Sequence, residues 1–259
     1  MDLQISGRTA LVTGSHRGTG AIIAARLADE GVRVLVHGFE AGQADTIAAG
    51  IAGAQPVYGD IATEAGTQIV VEQCRALAPD IDILVNNYGT SGPGSWLSSS
   101  SDDWLEMYQR NVLSAQRLIR AFAPGMIERR WGRVINLGTT GSTRPNSSSP
   151  HYYAAKGALA NLSVSLAKEL GPHGITVNLV SPGLIRTAEV EASSLKRGRR
   201  EGWGDTWAAV EPHVAKDIPI GRIVTREEVA DLVVFLCSPR AAGIHGQNIR
   251  VDGGGLGVV

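Results

Sequence analysis

The chain has 259 residues, with 24 Lys and Arg against 25 Asp and Glu and a formal net charge of −1, so no charge excess draws it to nucleic acid or to a membrane surface. It is long enough to bury a large core without disulfides or metals. Its two cysteines, Cys74 and Cys237, have neither metal-ligand spacing nor a disulfide framework and are expected to be buried thiols.

A hydrophobic fraction of 43% and a mean hydropathy of +0.01 describe a soluble globular chain. No apolar run approaches the ~18 residues of a membrane span. The opening MDLQISGRTALVTG has no basic segment leading an apolar one, so a cytoplasmic setting is expected.

Seven short apolar runs punctuate the chain, at residues 9–13, 32–37, 56–58, 82–85, 133–137, 175–180 and 248–251. Most are β-branched and nearly continuously apolar, as parallel strands buried on both faces are. Helix-length segments such as 20–30 and 104–122 lie between them. This alternation predicts an α/β fold, a single doubly wound Rossmann-type domain over residues 1–259. Residues 187–219 differ, with two tryptophans, a basic run and little strand pattern, and are read as a small helical lid over the substrate. No linker or solenoid-length repeat divides the chain.

The first strand runs into Thr13-Gly14-Ser15-His16-Arg17-Gly18-Thr19-Gly20 and then a helix. Glycines there permit a tight turn and a close backbone approach to a pyrophosphate, and the helix N-terminus adds partial positive charge. Strand, turn and helix together meet the condition for a dinucleotide site. The second strand ends His37-Gly38-Phe39-Glu40. A carboxylate at this strand end binds the ribose of NAD; Gly38 stands in that place. Arg17, with His37 near it, is placed to face a 2′-phosphate, which favours NADP(H). NAD(H) stays open through Glu40.

Ser149-Pro150 reads as an N-cap followed by proline in the first helical position. On that helix Tyr152 and Lys156 are four residues apart and share a face; Tyr153 is the competing tyrosine. A phenol titrates near ~10, and a neighbouring ammonium lowers that value, which makes Tyr152 a plausible acid/base for an alcohol or carbonyl oxygen. Such a pair alone is common in helices.

The ordered set TGSHRGTG (13–20), Asp60-Ile61, NNYG (86–89), Asn111, GTTGS (138–142), YYAAK (152–156), SPGLIRT (181–187) and GQNIRVDGG (246–254) resembles the short-chain dehydrogenase/reductase family over essentially the full length, most nearly its 3-oxoacyl-carrier-protein reductase-like members. The resemblance implies a seven-stranded parallel sheet in the order 3-2-1-4-5-6-7. It implies an NAD(P)-dependent oxidoreductase acting on a small carbonyl or secondary alcohol, assembled as a homotetramer, with no nucleic-acid or membrane partner. Position by position, Asp60 and Ile61 would meet the adenine end, Asn87 and Gly89 the adenosine ribose, and Pro182, Gly183, Ile185 and Thr187 the nicotinamide. Tyr152 would be the acid/base and Lys156 would lower its pKa and bind ribose. Asn111 would hold a water in a proton relay.

Three positions depart from the family pattern. Thr139 stands where the family has its catalytic serine, with Thr140 and Ser142 as alternatives. Tyr88 replaces an alanine and either lies against the cofactor or fills core. Thr19 replaces a branched aliphatic residue, and its hydroxyl can reach a phosphate or ribose. Substrate specificity is expected in residues 91–100, 143–150 and the lid, with Trp96, Trp203 and Trp207 either as walls or as lid packing. The basic run 196–200 reads as a solvated helix face or a contact for an acidic carrier. The competing function is a non-catalytic NADP-binding regulator on the same fold.

Overall fold

Alternation along each strand decides which helices cover which face of the sheet. The computed structural model describes residues 2–257. The strands are β1 (Thr9–Val12), β2 (Arg33–Gly38), β3 (Gln55–Tyr58), β4 (Ile83–Asn86), β5 (Gly132–Leu137), β6 (Ile175–Pro182) and β7 (Asn248–Val251). Between them run α1 (Gly18–Asp29), α2 (Asp45–Ala49), α3 (Glu64–Leu77), α4 (Ser101–Tyr108), α5 (Ser114–Glu128), α6 (Pro150–Leu170), α7 (Ala188–Glu201), α8 (Trp207–Val214) and α9 (Arg226–Leu236).

Ala10 and Val12 of β1, Val34 and Val36 of β2, and Ile83 and Val85 of β4 share one core with α1, α2 and α9. Leu11, Leu35 and Leu84 between them share the opposite core with α3, α5 and α6. Each of the fully buried Val, Leu and Ile side chains contributes roughly 1.5–3 kcal/mol by leaving water. Cys74 and Cys237 lie in these cores as expected, and burial pushes both thiols up to about 12.

All seven strands pair in parallel in the order β3-β2-β1-β4-β5-β6-β7, as the resemblance implies. The chain leaves β1 for β2 and β3 on one side and returns to β4 on the other. The helices after β1 and β4 therefore cover opposite faces, and a crevice opens beyond the carboxyl ends of the two strands.

The segment 104–122, expected as one helix, is two. α4 starts from a capping box between Ser100 and Asp103, then passes through a π-helical turn at Gln109–Leu113 into α5. The Asn111 side-chain amide donates to the Met107 carbonyl at 3.0 Å. That carbonyl is the acceptor an α-helical Asn111 N–H would use, so the backbone widens there.

Within residues 187–219, α7 and α8 pack as a pair, with Gly198 pressed against Val210. Trp203 stacks on His213 at 4.6 Å, Arg197 lies over the same Trp203 ring, and Arg186 lies over Trp207. Both tryptophans are thus engaged in helix packing. Arg200 pairs with Glu201, and Lys196, Arg197, Arg199 and Arg200 are all exposed.

Candidate active site

A cavity of about 1000 Å³ occupies the crevice. At one end it is bordered by Gly14, Arg17, Gly18, Thr19 and Gly20, and at the other by Tyr152 and Lys156. Gly14 and Gly18 hold φ of 62° and 63°, a backbone region that L side chains rarely adopt. The turn delivers the chain into α1, whose first N–H groups have no intrahelical partner. Arg17 at the N-cap gives them no side-chain cap. That end is therefore open to an anion, with the helix dipole behind it.

Asp60, Asn87, Tyr88, Gly89, Pro182, Ile185 and Thr187 border the same cavity. Asn87 donates to the Thr13 carbonyl at 2.8 Å and so ties β4 to the turn. Asp60 accepts from the Ala62 N–H at 3.0 Å. Thr187 caps α7 by accepting from Val190 N–H at 3.2 Å. The Tyr88 ring packs against Phe39 with centroids 4.7 Å apart. It borders the cavity and packs against the core.

Several expected cofactor residues turn inward instead. Ser15 is fully buried; its hydroxyl donates to the Val12 carbonyl and accepts from His37 N–H. His37 does not supply a cation for a 2′-phosphate. Its Nδ1 accepts from Gly14 N–H at 3.0 Å and its Nε2 meets the Gly59 carbonyl at 2.9 Å. Burial lowers it to about 4, so it is neutral at pH 7. It braces the turn from behind. Gly38 is packed against the following loop, where a Cβ would lie 3.0 Å from that of Gln43. The Ile61 side chain belongs to the core. Gly183 donates to the Val251 carbonyl at 2.9 Å and lies against Asp252. These five residues stand behind the cavity wall.

The catalytic end is built by α6, β5 and the π-helical turn. Pro150 occupies the first helical position as expected, but Ser149 does not cap with its side chain. It sits at φ 53° and ψ 48°, and its hydroxyl donates to the Gly92 carbonyl at 2.7 Å. That bond fastens the 91–100 loop to the start of α6. Tyr153 is excluded from the cavity: its hydroxyl accepts from Asn146 and its ring covers Gly141. Of the two neighbours, Tyr152 is the one that borders the cavity.

Lys156 is 3% exposed and donates to the Leu137 carbonyl at 2.7 Å. Asn111 clamps Thr90, accepting from its N–H at 3.1 Å and donating to its carbonyl at 2.9 Å. Thr139 does not border the cavity. Its hydroxyl accepts from Gly141 N–H at 3.2 Å, capping the short turn that follows β5. Of its alternatives, Ser142 donates to the Thr139 carbonyl at 2.7 Å.

The Tyr152 phenol is not lowered in this structure. Burial, and then Tyr153, push it up to about 12, while the Lys156 ammonium donates to the Leu137 carbonyl. Burial also lowers Lys156 from 10.5 to about 8. The folded protein thus releases the lysine proton near pH 8, whereas the unfolded chain holds it to about 10.5. Burial of Lys156 opposes folding fully below pH 8, and this opposition fades as pH rises from 8 to 10.5. Thermal melts should show the wild type gaining stability relative to Lys156→Met across that window; a constant difference between them would contradict it.

Residues that sequence reasoning did not single out also border the cavity, among them His16, Arg110, Glu189 and Arg226. The last two open α7 and α9. Glu189 lies 3.7 Å from Arg17. No local pattern marked them, since helix-start charges are ordinary.

A family profile described as enoyl-(acyl carrier protein) reductase matches residues 14–255. The chain is 33% identical over 253 residues to the 3-oxoacyl-[acyl-carrier-protein] reductase FabG of Escherichia coli (strain K12), covering 97% of this chain and 98% of that one. Among solved structures it is similar to L-sorbose reductase from Gluconobacter frateurii complexed with NADPH and L-sorbose, with a TM-score of 0.93, 33% identity and 100% of both chains covered. It is also similar to a gluconate 5-dehydrogenase from Burkholderia cenocepacia J2315 in complex with NADP and tartrate, with a TM-score of 0.86, 28% identity and 100% and 98% covered. With its ordered motifs and its seven-stranded parallel sheet, the chain belongs to the short-chain dehydrogenase/reductase family.

Proposed function

We propose that this protein is an NADP(H)-dependent oxidoreductase that interconverts a ketone and a secondary alcohol, working chiefly as a ketone reductase. One observation carries the reading: a single cavity joins the uncapped N-terminus of α1 to Tyr152 and Lys156. The residues fit a phosphate-bearing dinucleotide. The glycine turn, Arg17 and the first N–H groups of α1 would hold its phosphates. Asp60, Asn87, Tyr88 and Gly89 would line the adenosine part, and Pro182, Ile185 and Thr187 the nicotinamide. When bound, the reduced nicotinamide supplies hydride to the carbonyl carbon.

The chain's own groups manage the proton. Tyr152, protonated at neutral pH because burial disfavours its phenolate, donates to the carbonyl oxygen. Lys156 stabilises the phenolate left behind and bonds the nicotinamide ribose. The Thr139 hydroxyl, which accepts one bond from Gly141 outside the cavity lining, keeps its hydrogen free and would reach the substrate oxygen only if the turn after β5 shifts on binding. Asn111, held by Thr90 and Met107, orders the water path to Lys156. A homotetramer and a cytoplasmic setting belong to the same reading. Leu105 and Tyr108 of α4 and Val164 of α6 are exposed apolar faces suited to subunit pairing. Among the described residues no helix is long and apolar enough to cross a membrane.

NADP(H) is favoured over NAD(H) by Arg17, by the absence of a carboxylate at Gly38, and by the NADPH and NADP complexes of the similar structures. Arg17→Ala is expected to weaken NADPH about tenfold and NADH far less, as read by equilibrium titration. Equal losses would reject Arg17 as the 2′-phosphate contact. The decisive experiment is a panel of ketoses, 3-oxoacyl thioesters and simple ketones with NADPH and NADH, and of alcohols with the oxidised forms. Hydride transfer to at least one is expected. Tight cofactor binding with transfer to none would instead support a non-catalytic cofactor-binding regulator.

A further inference from the structure

An exposed ion pair borders the cavity. Arg17, on the glycine turn, and Glu189, in the first turn of α7, approach to 3.7 Å and are 75% and 74% exposed. Arg226, the first residue of α9, borders the same cavity. Among the described residues it makes no ion pair within 4.0 Å. Hydrogen bonds from its own N–H and from the Thr187 hydroxyl, and then the charges of Arg17 and Arg226, hold the Glu189 carboxyl below its usual range.

The fold does not need this carboxylate. α7 is capped by Thr187, and a second first-turn acid, Glu191, pairs with Arg186 at 3.0 Å. Glu189 therefore stands as one anion between two cations at the end of the cavity that is open to anions.

We infer that Glu189 is a built-in competitor for the cofactor's phosphates: without cofactor it engages Arg17 and ties α7 to the glycine turn, and a bound phosphate displaces it and releases that tie. This rests on the cofactor reading above. It makes Glu189 a residue that sets cofactor affinity and couples cofactor arrival to the lid, without touching the reacting atoms. The exposed pair is weak, so it tempers binding without blocking it, and salt should erase its effect.

The test is equilibrium titration of NADPH and NADH, with amide hydrogen exchange in α7, on wild type, Glu189→Gln and Glu191→Gln. Glu189→Gln should bind NADPH about threefold tighter at low ionic strength, with the gain lost at high salt, and Glu191→Gln should match wild type. A gain for NADPH alone assigns the displaced contact to the 2′-phosphate; a gain for both cofactors assigns it to the pyrophosphate. Without cofactor, α7 amides should exchange faster in Glu189→Gln than in wild type, and NADPH should abolish that difference. Equal or weaker NADPH binding by Glu189→Gln, or an exchange difference that persists with cofactor bound, overturns the inference. Failure of wild type to bind either dinucleotide overturns the cofactor reading instead.

Discussion

Tyr152→Phe is expected to lower kcat for carbonyl reduction about 10³-fold while NADPH affinity changes little. The substitution keeps the ring, its packing at 5.3 Å from Tyr153 and the helix, and removes only the hydroxyl. That hydroxyl is the one titrating group at the cavity that is both held protonated at neutral pH and close to Lys156 on the same helix face. Its proton is retained because burial raises the phenol to about 12. Burial also makes the phenolate formed after donation unfavourable, so turnover needs the positive charge of Lys156, one helical turn away and held on the Leu137 carbonyl, to stabilise it. Rates followed by loss of reduced nicotinamide check this. Activity of the variant within about tenfold of wild type would remove Tyr152 from the proton-transfer role.

Gly89→Ala should cost about 10²-fold in kcat/KM with a melting temperature close to wild type. A Cβ at this position would lie 2.5 Å from Lys156 Nζ and 2.7 Å from Asn111 Oδ1, inside the contact distance of both. Neither neighbour yields without consequence. The lysine is anchored on the Leu137 carbonyl, and the Asn111 amide is held by Thr90 and Met107. A single methyl therefore displaces both groups that serve Tyr152. The strand ends at Asn86, ahead of this residue, so the sheet and its core stay packed. Stopped-flow kinetics beside calorimetry separate the two effects: normal kcat/KM would show that the lysine and the amide do not need their present positions, and a large drop in melting temperature would show that the loop is structural.

Much of this site was legible in the linear chain because its signals are local. A run such as TALVT ending in a glycine turn is a strand feeding a helix wherever it occurs. Tyr152 and Lys156 are neighbours by helical geometry alone. The resemblance supplied the sheet order, and the pairing of β1 with β4 carries it out. The direction in which a side chain points at a strand end was not legible. His37 and Ser15 were expected at the cofactor, but the alternation of β2 and the return of the turn put them beneath it. The widened turn at Asn111 was also hidden, since it depends on a side chain reaching the Met107 carbonyl and a loop twenty-one residues away.

By itself the sequence determined the fold class and the cavity's position at the strand ends, since both follow from periodicity and short-range spacing, while the tyrosine–lysine pair followed from helical spacing only together with the family resemblance. Only the tertiary structure decided the charge states and partners of those groups. Lys156 is lowered to about 8 and Tyr152 raised to about 12 because α6 buries them against β5. Arg17 meets Glu189 because the parallel sheet brings the start of α7 beside the start of α1, across 172 residues of chain. Burial and long-range proximity are properties of the closed sheet, and no local pattern in the chain encodes them.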